Sequence, residues 1–302
     1  MECPHCGSES RKNGKAQKSF GQRYKCKNPD CQYEFTIKFV PSKTSANILI
    51  LDIETAPMTA FVWSMWKNNI GKDQLISDWY CLTWAAKWIY EDEVYSGKLT
   101  AKEAKEKDDK RIMYDLWHFI NAADIVIAHN AIKFDVPKMN TRFLIHNFAP
   151  PAPYQIIDTL KEAKKTFKHS SNRLDFINTS LGIEGKIDTD MSLWVGCVEG
   201  NSDSLRDMET YNKNDVVILE KHYLKIRPWI KSHPNIGVYV DSDTAICPNC
   251  GSHDIKWEDK FYHTTANKFS IFRCNNCGAI GRSRETAMSK QERQNLVIPI
   301  AR

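Results

Sequence analysis

Asp52 and Glu54 form a pair of carboxylates separated by a single residue. They follow residues 47–51, Asn-Ile-Leu-Ile-Leu, whose apolar side chains predict a buried strand that breaks at Pro57. Because residues two apart in a strand face the same side, the two carboxylates project together. Such a pair at the end of a buried strand is unfavourable unless a cation lies between the two groups. A divalent metal ion is the usual partner, and the apolar run argues against a simple surface pair.

Asp135 is a third carboxylate that follows a predicted strand. Residues 124–128 form a second apolar run, and the loop at 129–135, His-Asn-Ala-Ile-Lys-Phe-Asp, comes directly after it. Pro137 is typical of the first turn of a helix, so Asp135 is either a further metal ligand or the N-cap of that helix. This segment alone leaves both interpretations open.

Tyr211 and Asp215 belong to a predicted helix whose apolar side chains recur at helical spacing and end before Pro228. The two residues are four apart, so the phenol and the carboxylate lie on one face of the helix. Such a pair occurs by chance on many helices and carries little weight by itself. Together with the two earlier segments, however, it completes a set of four carboxylates and one phenol.

Eight of the ten cysteines form two groups, each made of two short Cys pairs. Two such pairs about 20 residues apart can present four thiolates to zinc in a tetrahedral arrangement. The second pair of the N-terminal group departs from the usual pattern, because it has four intervening residues and not two. We predict two structural Zn²⁺ sites, one formed by Cys3, Cys6, Cys26 and Cys31 and one by Cys247, Cys250, Cys274 and Cys277.

Composition and charge narrow the functional class. The 302 residues are 42% apolar and 26% charged, which is ordinary for a globular protein with a substantial core. No apolar run is long enough for a membrane span and the chain begins without a signal stretch, so neither a membrane partner nor secretion is expected. Residues 1–43 have a formal balance of +5, residues 44–243 of −4 and residues 244–302 of +4. Basic ends suggest a polyanionic partner, and an acidic middle could hold metal ions.

In order and spacing, the three acidic segments resemble the motifs of the DnaQ-like 3′→5′ exonucleases, in the branch with tyrosine in the third motif (the DEDDy type). The resemblance covers roughly residues 46–230. It implies an α/β, ribonuclease H-like fold with a mixed sheet and helices on both faces, which the predicted order of strands and helices also favours. Residues 52–57 and 62–66 are most similar to phage-encoded and polymerase-associated members. Both cysteine groups resemble zinc ribbons.

The resemblance implies a site for two Mg²⁺ or Mn²⁺ ions about 4 Å apart. Asp52 would bridge both ions, and Glu54 and Asp215 would complete the part of the site that activates water. Asp135 would hold the second ion, directly or through water. Tyr211 would orient the attacking water, because a phenol with a pKa near ~10 is a poor base at neutral pH. The expected reaction is hydrolysis at the 3′ end of DNA with release of nucleoside 5′-monophosphates.

A few residues outside the carboxylate set are candidates for nucleic-acid contacts. Asn130 is expected to position Asp135 or to touch the substrate strand. Trp63 and Trp66 either stack on bases or pack in the core, and the helical spacing of their segment favours packing. Arg23 and Lys25 of the N-terminal ribbon are candidates for phosphate contacts, unless that ribbon is purely structural or docks a protein.

The sequence predicts a zinc ribbon at residues 1–43, an exonuclease domain at 46–232, a second ribbon at 244–284 and a tail at 285–302. The expected partner is a nucleic acid with a 3′ end, single-stranded DNA foremost, with a polymerase or another replication protein as a further partner. We expect a cytoplasmic protein, in the host cytoplasm if a phage encodes it. Two alternatives stay open: a 3′→5′ exoribonuclease, and a non-catalytic zinc-ribbon adaptor that binds nucleic acid or tethers a polymerase.

Overall fold

The computed structural model describes residues 2–15, 21–38, 45–183, 185, 187–298 and 300. The chain divides into two compact units. The first comprises Met1–Pro41 and Asn47–Lys221, and the second comprises Ser42–Ala46 and His222–Arg302. The four domain boundaries stated above stay predictions.

The first unit begins with a small antiparallel sheet that carries the first cysteine group. Its strands follow one another in the order β1-β2-β3. Their bounds are Ser10–Lys15 (β1), Gly21–Cys26 (β2) and Glu34–Lys38 (β3). Cys3 and Cys6 precede β1, Cys26 ends β2, and Cys31 lies in the turn before β3.

A five-stranded mixed sheet with flanking helices forms the body of the first unit. The strands that follow the ribbon are Ile48–Thr55 (β4), Thr59–Ala60 (β5), Leu75–Ser77 (β6), Cys81–Trp88 (β7), Tyr95–Lys98 (β8), Ile125–Ala128 (β9) and Gln155–Asp158 (β10). The helices are Ala101–Glu106 (α1), Lys110–Ala122 (α2), Asp135–Ile145 (α3), Thr159–Thr166 (α4), Leu174–Ser180 (α5), Met191–Val198 (α6) and Ser202–Ile226 (α7).

The order of strands in the large sheet is β10-β9-β4-β7-β8. β9 pairs in parallel with both β10 and β4, whereas β7 pairs antiparallel with both β4 and β8. β4 is thus the central strand, and its residues Leu49, Ile50 and Leu51 are fully buried. Burial on both faces explains why the strand appears in the sequence as a continuous apolar run. The predicted α/β fold class, with a mixed sheet and flanking helices, is confirmed.

Helix α2 shows how a helix covers this sheet. It contacts β7 and β8, and its buried side chains recur at three- and four-residue intervals: Ile112, Met113, Leu116, Phe119 and Ile120. This spacing gives one apolar stripe that faces the core, as expected for an amphipathic helix. The tilted rings of Trp84 on β7 and Phe119 on α2, 5.4 Å apart, join the two elements.

The second unit carries the other cysteine group on a three-stranded antiparallel sheet. Its strands are Ile255–His263 (β11), Lys268–Cys274 (β12) and Ile280–Arg282 (β13). The predicted tail at 285–302 contains a short helix, Lys290–Gln294 (α8), which begins with a capping box formed by Ser289 and Glu292. In the part of the chain that the structure describes, no helix is long and apolar enough to cross a membrane.

Candidate metal centre and substrate cleft

Three carboxylates from distant parts of the chain meet at the end of the central strand. Asp52 and Glu54 lie on β4, and Asp215 lies on α7. One oxygen of each lies within 4.8 Å of one in each of the others. The alternation of β4 explains the pairing of the first two, because Leu51 and Ile53 point into the core while Asp52 and Glu54 share the opposite face.

The electrostatics of this cluster favour a cation. Burial and the neighbouring charge of Glu54 hold the pKa of Asp52 well above its ordinary value. Burial, then the charges of Asp215 and Asp135, raise the pKa of Glu54 to about 8. Each carboxylate therefore disfavours ionisation of the others in the absence of a counter-charge. Hard oxygen donors so arranged suit Mg²⁺ or Mn²⁺, so the residues present fit the predicted ions.

Asp135 lies beside this group but outside the set of mutually close oxygens. It is the first residue of α3, and its side chain is 1% exposed. Among the described residues, neither of its carboxylate oxygens has a hydrogen-bond partner of good geometry, although the backbone N–H groups of Ile53 and Asp135 lie close enough to lower its pKa. Burial raises its pKa to about 7, against the opposing effect of nearby backbone N–H dipoles, and its charge raises the pKa values of Asp52 and Glu54.

The N-cap interpretation of Asp135 is wrong, because Phe134 occupies the N-cap position and the Asp135 oxygens cap nothing. A buried carboxylate without donors is rare in folded proteins and needs a partner. A cation shared with the neighbouring carboxylates would be such a partner. The ligand interpretation therefore stands as the proposal for this residue.

Tyr211 lies one turn before Asp215 on α7 and hydrogen-bonds to its carboxylate. Burial, then the negative charge of Asp215, raise the pKa of the phenol far above its ordinary value. The hydroxyl therefore stays protonated and acts as a donor, in agreement with the predicted orienting role. The Tyr211 ring packs edge-on against Trp194 of α6, with centroids 6.2 Å apart.

Asn212 is a site residue that the sequence reasoning missed. It is fully buried, and its Nδ2 donates to Oδ2 of Asp52 over 2.6 Å. This bond ties α7 to β4 and stabilises the charged form of Asp52. The sequence shows that Asn212 is next to Tyr211, but it does not indicate which part of the chain packs against that face of the helix.

The loop at 129–135 is fixed by hydrogen bonds on both sides. Oδ1 of Asp158 accepts from the backbone N–H of Asn130 over 3.1 Å, and Oδ2 accepts from that of Ile132 over 3.1 Å. His129 is held at both ring nitrogens: Nε2 donates to the carbonyl of Asn172 over 3.1 Å, and Nδ1 lies 2.9 Å from the Thr159 hydroxyl. His129 thus braces the loop and does not point a free nitrogen at the carboxylates.

Two adjoining cavities, of about 630 and 620 Å³, open beside the carboxylates, and Tyr211 and Arg173 line both. Asn130 lines the first cavity, as its predicted substrate contact requires. Lys138, Trp79 and Met58 line the second. We call the two cavities together the cleft.

Lys138 is a second functional candidate that the sequence reasoning missed. Its Nζ lies 3.9 Å from the ring centroid of Trp79 and donates to Oγ1 of Thr55 over 3.2 Å. An ammonium group that lines the second cavity is suited to contact a phosphate group. The available signal was its position three residues after Asp135, which places both residues on one side of α3.

Trp63 and Trp66 do not pack in the core. They are 99% and 80% exposed, and they lie in irregular chain between β5 and β6. The interpretation that these side chains pack in the core is wrong, because the segment that carries them forms no helix. Neither side chain lines the cleft, and base stacking by them stays a prediction.

Both cysteine groups come together as predicted, with their sulfurs mutually within 4.8 Å. The Sγ–Sγ distances are 3.8 Å for Cys3–Cys31, 3.5 Å for Cys6–Cys26, and 3.6 Å for both Cys247–Cys277 and Cys250–Cys274. Four sulfurs at about 2.3 Å from a tetrahedral zinc ion lie about 3.8 Å apart, so both groups fit Zn²⁺. The wider spacing between Cys26 and Cys31 does not prevent closure.

Of the two basic candidates in the N-terminal ribbon, the structure describes the side chain of Lys25 only. Lys25 on β2 forms an ion pair with Glu34, with 3.5 Å between Nζ and Oε1. Arg23 lies on the same strand, but its side chain falls outside the described residues. A phosphate contact by either residue stays a prediction.

A comparison with known protein families finds a match in the central part of the chain. Residues 83–226 match the family model of the RNase_H superfamily. The match runs from within β7 to the end of α7, so it includes Asp135, Tyr211 and Asp215 and begins after Asp52 and Glu54. No curated protein matches the chain.

Proposed function

We propose that this protein is a metal-dependent nuclease, and specifically a 3′→5′ exonuclease of DNA. One observation carries the proposal: Asp52, Glu54 and Asp215 converge within 4.8 Å beside the buried, donor-free Asp135. The family match over residues 83–226 supports a nuclease. The 3′→5′ polarity rests on the resemblance of the three acidic segments to DnaQ-like, DEDDy-type exonucleases. A phage origin and association with a polymerase rest on that resemblance too.

In this proposal, Asp52, Glu54, Asp135 and Asp215 hold two Mg²⁺ or Mn²⁺ ions. Bound dications would lower the pKa of water and offset the charge that develops on the phosphate oxygens. Tyr211, protonated at neutral pH, would turn its single O–H from Asp215 to the attacking water and fix the direction of that water. Asn212 holds Asp52 in place through its 2.6 Å hydrogen bond.

Lys138 and Arg173 supply positive charge to the second cavity, which Asp188 and Asp190 also line. They would contact phosphates of the bound strand and offset the repulsion between the strand and the acidic cluster. Trp79, which lies under the Lys138 ammonium group, limits where that group can reach. These contacts orient the strand and leave bond cleavage to the carboxylate site.

The test identifies the products that the protein forms from labelled nucleic-acid strands. Single-stranded DNA labelled at its 5′ end is incubated with the protein and Mg²⁺, and identical reactions use RNA, a circular strand and the Asp52→Ala variant. We expect a ladder shortened from the 3′ end, nucleoside 5′-monophosphates as products, an intact circle, and no cleavage by the variant. Equal cleavage by the variant would refute the site, and cuts in the circle would refute an exonuclease.

The same reactions distinguish the two alternatives. Preferential shortening of RNA would identify an exoribonuclease. Binding of the linear strand without any cleavage would identify the non-catalytic adaptor. Omitting Mg²⁺ is preferable to adding EDTA, because a chelator also competes for the zinc of the ribbons.

A further inference from the structure

The C-terminal ribbon presents one sheet face that combines exposed rings with basic side chains. In antiparallel strands, paired residues point to the same side. The pairs Tyr262–Phe269, Lys256–Arg273 and Ile271–Arg282 therefore lie on one side of the sheet. We call this side the Tyr262 face. Phe261 pairs with Ser270, and Lys268 pairs with His263. These pairs alternate with those of the Tyr262 face, so they lie on the opposite side of the sheet.

Arg282 is held flat on this face by an aromatic ring. Its guanidinium carbon lies 4.0 Å from the ring centroid of Phe269 and 5.6 Å from that of Tyr262. A guanidinium stacked in this way keeps its outer plane available, while its Nη1 donates to the carbonyl of Ser283 over 3.0 Å. Tyr262 is 52% exposed beside it. The two groups form a platform on which a planar, electron-rich molecule can stack.

The charge around this platform selects an anionic partner. Residues 255–282 contain five Lys or Arg residues and two Asp or Glu residues. One of the acids, Glu258, is compensated on the Tyr262 face by Arg273, whose Nε donates to it over 3.0 Å. Lys256 and Arg273 lie on the same face, four residues or about 13 Å from the Tyr262–Phe269 pair.

The zinc site acts unevenly on this charge, because Cys274 adjoins Arg273 but lies far from the platform. Four thiolates on one Zn²⁺ leave a formal charge of −2, but Cys274 ends β12, five residues or about 16 Å from Phe269. That distance exceeds the Debye length of about 8 Å at physiological salt, so the thiolates are largely screened from the platform.

We propose that the Tyr262 face binds single-stranded nucleic acid, with bases stacked on Tyr262 and Arg282 and phosphates on Lys256. Unpaired bases expose the planes that such a platform needs, whereas a duplex hides them. The proposal does not depend on the nuclease activity, because none of these residues belongs to the carboxylate site.

The face-specific test uses the full chain with Asp215→Asn, which prevents degradation of the probe. Fluorescence anisotropy with labelled oligothymidylate measures the Kd of this parent and of versions that also carry Tyr262→Ala or Arg282→Ala. The matched controls are Phe261→Ala and Lys268→Ala, which remove the same kinds of group from the opposite side. We expect about tenfold weaker binding for each Tyr262-face variant and little change for the controls. Removal of Arg282 should also flatten the dependence of Kd on salt.

A photocrosslink provides the second readout. Oligonucleotides containing 4-thiothymidine are irradiated with each protein, and the crosslinked peptides are mapped by mass spectrometry, with zinc content measured to verify folding. Crosslinks within residues 255–282 of the parent, lost with Tyr262→Ala, support the proposal. Unchanged affinity in both face variants, equal losses in the controls, or crosslinks only elsewhere would overturn it and leave the face to a protein partner. Cleavage by the wild-type protein is scored separately, so failure of one proposal does not imply failure of the other.

Discussion

At the scale of single residues, the four carboxylates differ in how the protein holds them. Asp52 accepts a hydrogen bond from Asn212, and Asp215 accepts one from Tyr211. Asp135 accepts none. The protein therefore positions two carboxylates through donors and leaves the charge of the whole set to be balanced by cations.

The charge state of Glu54 should control the stability of the ion-free protein. Its pKa of about 8 lies above the ordinary value of 4.5, so the folded state retains a proton that the unfolded state loses between these values. The free energy of unfolding should therefore fall as pH rises from 4.5 to about 8, and level off above it. Glu54→Gln should weaken this dependence, because the raised pKa values of Asp52 and Asp135 act in the same direction, and it should raise ion-free stability at pH 8 and abolish cleavage.

Urea unfolding of both proteins across this pH range, in buffer without Mg²⁺ or Mn²⁺, provides the measurement. Glu199→Gln, at an exposed position beyond α6, serves as the control and should behave as the wild type does. A variant less stable than the wild type at pH 8 would contradict the repulsion on which the metal site is argued.

Lys138 should matter for substrate use and little for folding. Lys138→Met keeps the aliphatic stem that packs near Trp79 but removes the charge, so we expect kcat/KM to fall about tenfold with a small change in Tm. Lys102→Met on α1, whose side chain is 81% exposed, is the matched control. Equal kinetics for the two variants would exclude Lys138 from substrate binding.

At the scale of elements, the site depends on the contact between α7 and the sheet. α7 supplies Tyr211, Asn212 and Asp215, while β4 supplies Asp52 and Glu54. Lys87 of β7 and Glu220 of α7 form a largely buried ion pair, and Glu220 also accepts from the backbone N–H of Tyr90 over 2.8 Å. This pair fixes the helix against the sheet one to two turns beyond Asp215.

Removing one partner of that ion pair should destabilise the folded protein. Glu220→Ala leaves the Lys87 ammonium group buried without its carboxylate, and we expect a loss of about 3–5 kcal/mol in the free energy of unfolding. The double variant with Lys87→Met and Glu220→Leu should recover most of this loss, because it buries no charge. Chemical denaturation of the wild type, Glu220→Ala and the double variant tests this prediction. A double variant that is no more stable than Glu220→Ala would contradict the assignment of a buried ion pair.

Sequence patterns predicted the elements better than the contacts between them. The apolar run before Asp52 predicted β4, and strand alternation predicted that Asp52 and Glu54 share a face. Whether Asp135 was a cap or a ligand could not be settled locally, because the answer depends on β4, about 80 residues away. Asp158 and Lys138 were not recognised as site residues, since their partners lie far away in sequence. Packing of Trp63 and Trp66 in the core was favoured over base stacking because apolar spacing alone does not distinguish a helix from an exposed loop.

At the scale of the whole molecule, two chemically different kinds of candidate metal site share one chain. Thiolate groups bind Zn²⁺ tightly, whereas carboxylates bind Mg²⁺ weakly and reversibly. All ten cysteines are unbridged, and the two outside the zinc groups, Cys81 and Cys197, are buried. The protein should therefore be able to lose one kind of metal while it keeps the other.

Extensive dialysis without chelator should leave two zinc ions per chain and remove Mg²⁺ and Mn²⁺. Metal analysis by mass spectrometry measures both, and added Mg²⁺ should restore cleavage fully. Cys250→Ser should lower the zinc content to about one ion per chain, whereas Cys197→Ser should leave it at two. A zinc content unaffected by Cys250→Ser would disprove the C-terminal site.

The position of β4 between two sheet neighbours makes the carboxylate cluster sensitive to strand register as well as to composition. An extra alanine inserted between Ile50 and Leu51 would either push the downstream half of the strand one step out of register or force a bulge. In the first case Asp52 and Glu54 would turn into the apolar interior, and Leu51 and Ile53 would turn towards the cleft. Every acidic side chain would still be present in such a protein, yet it would have no place to hold an ion.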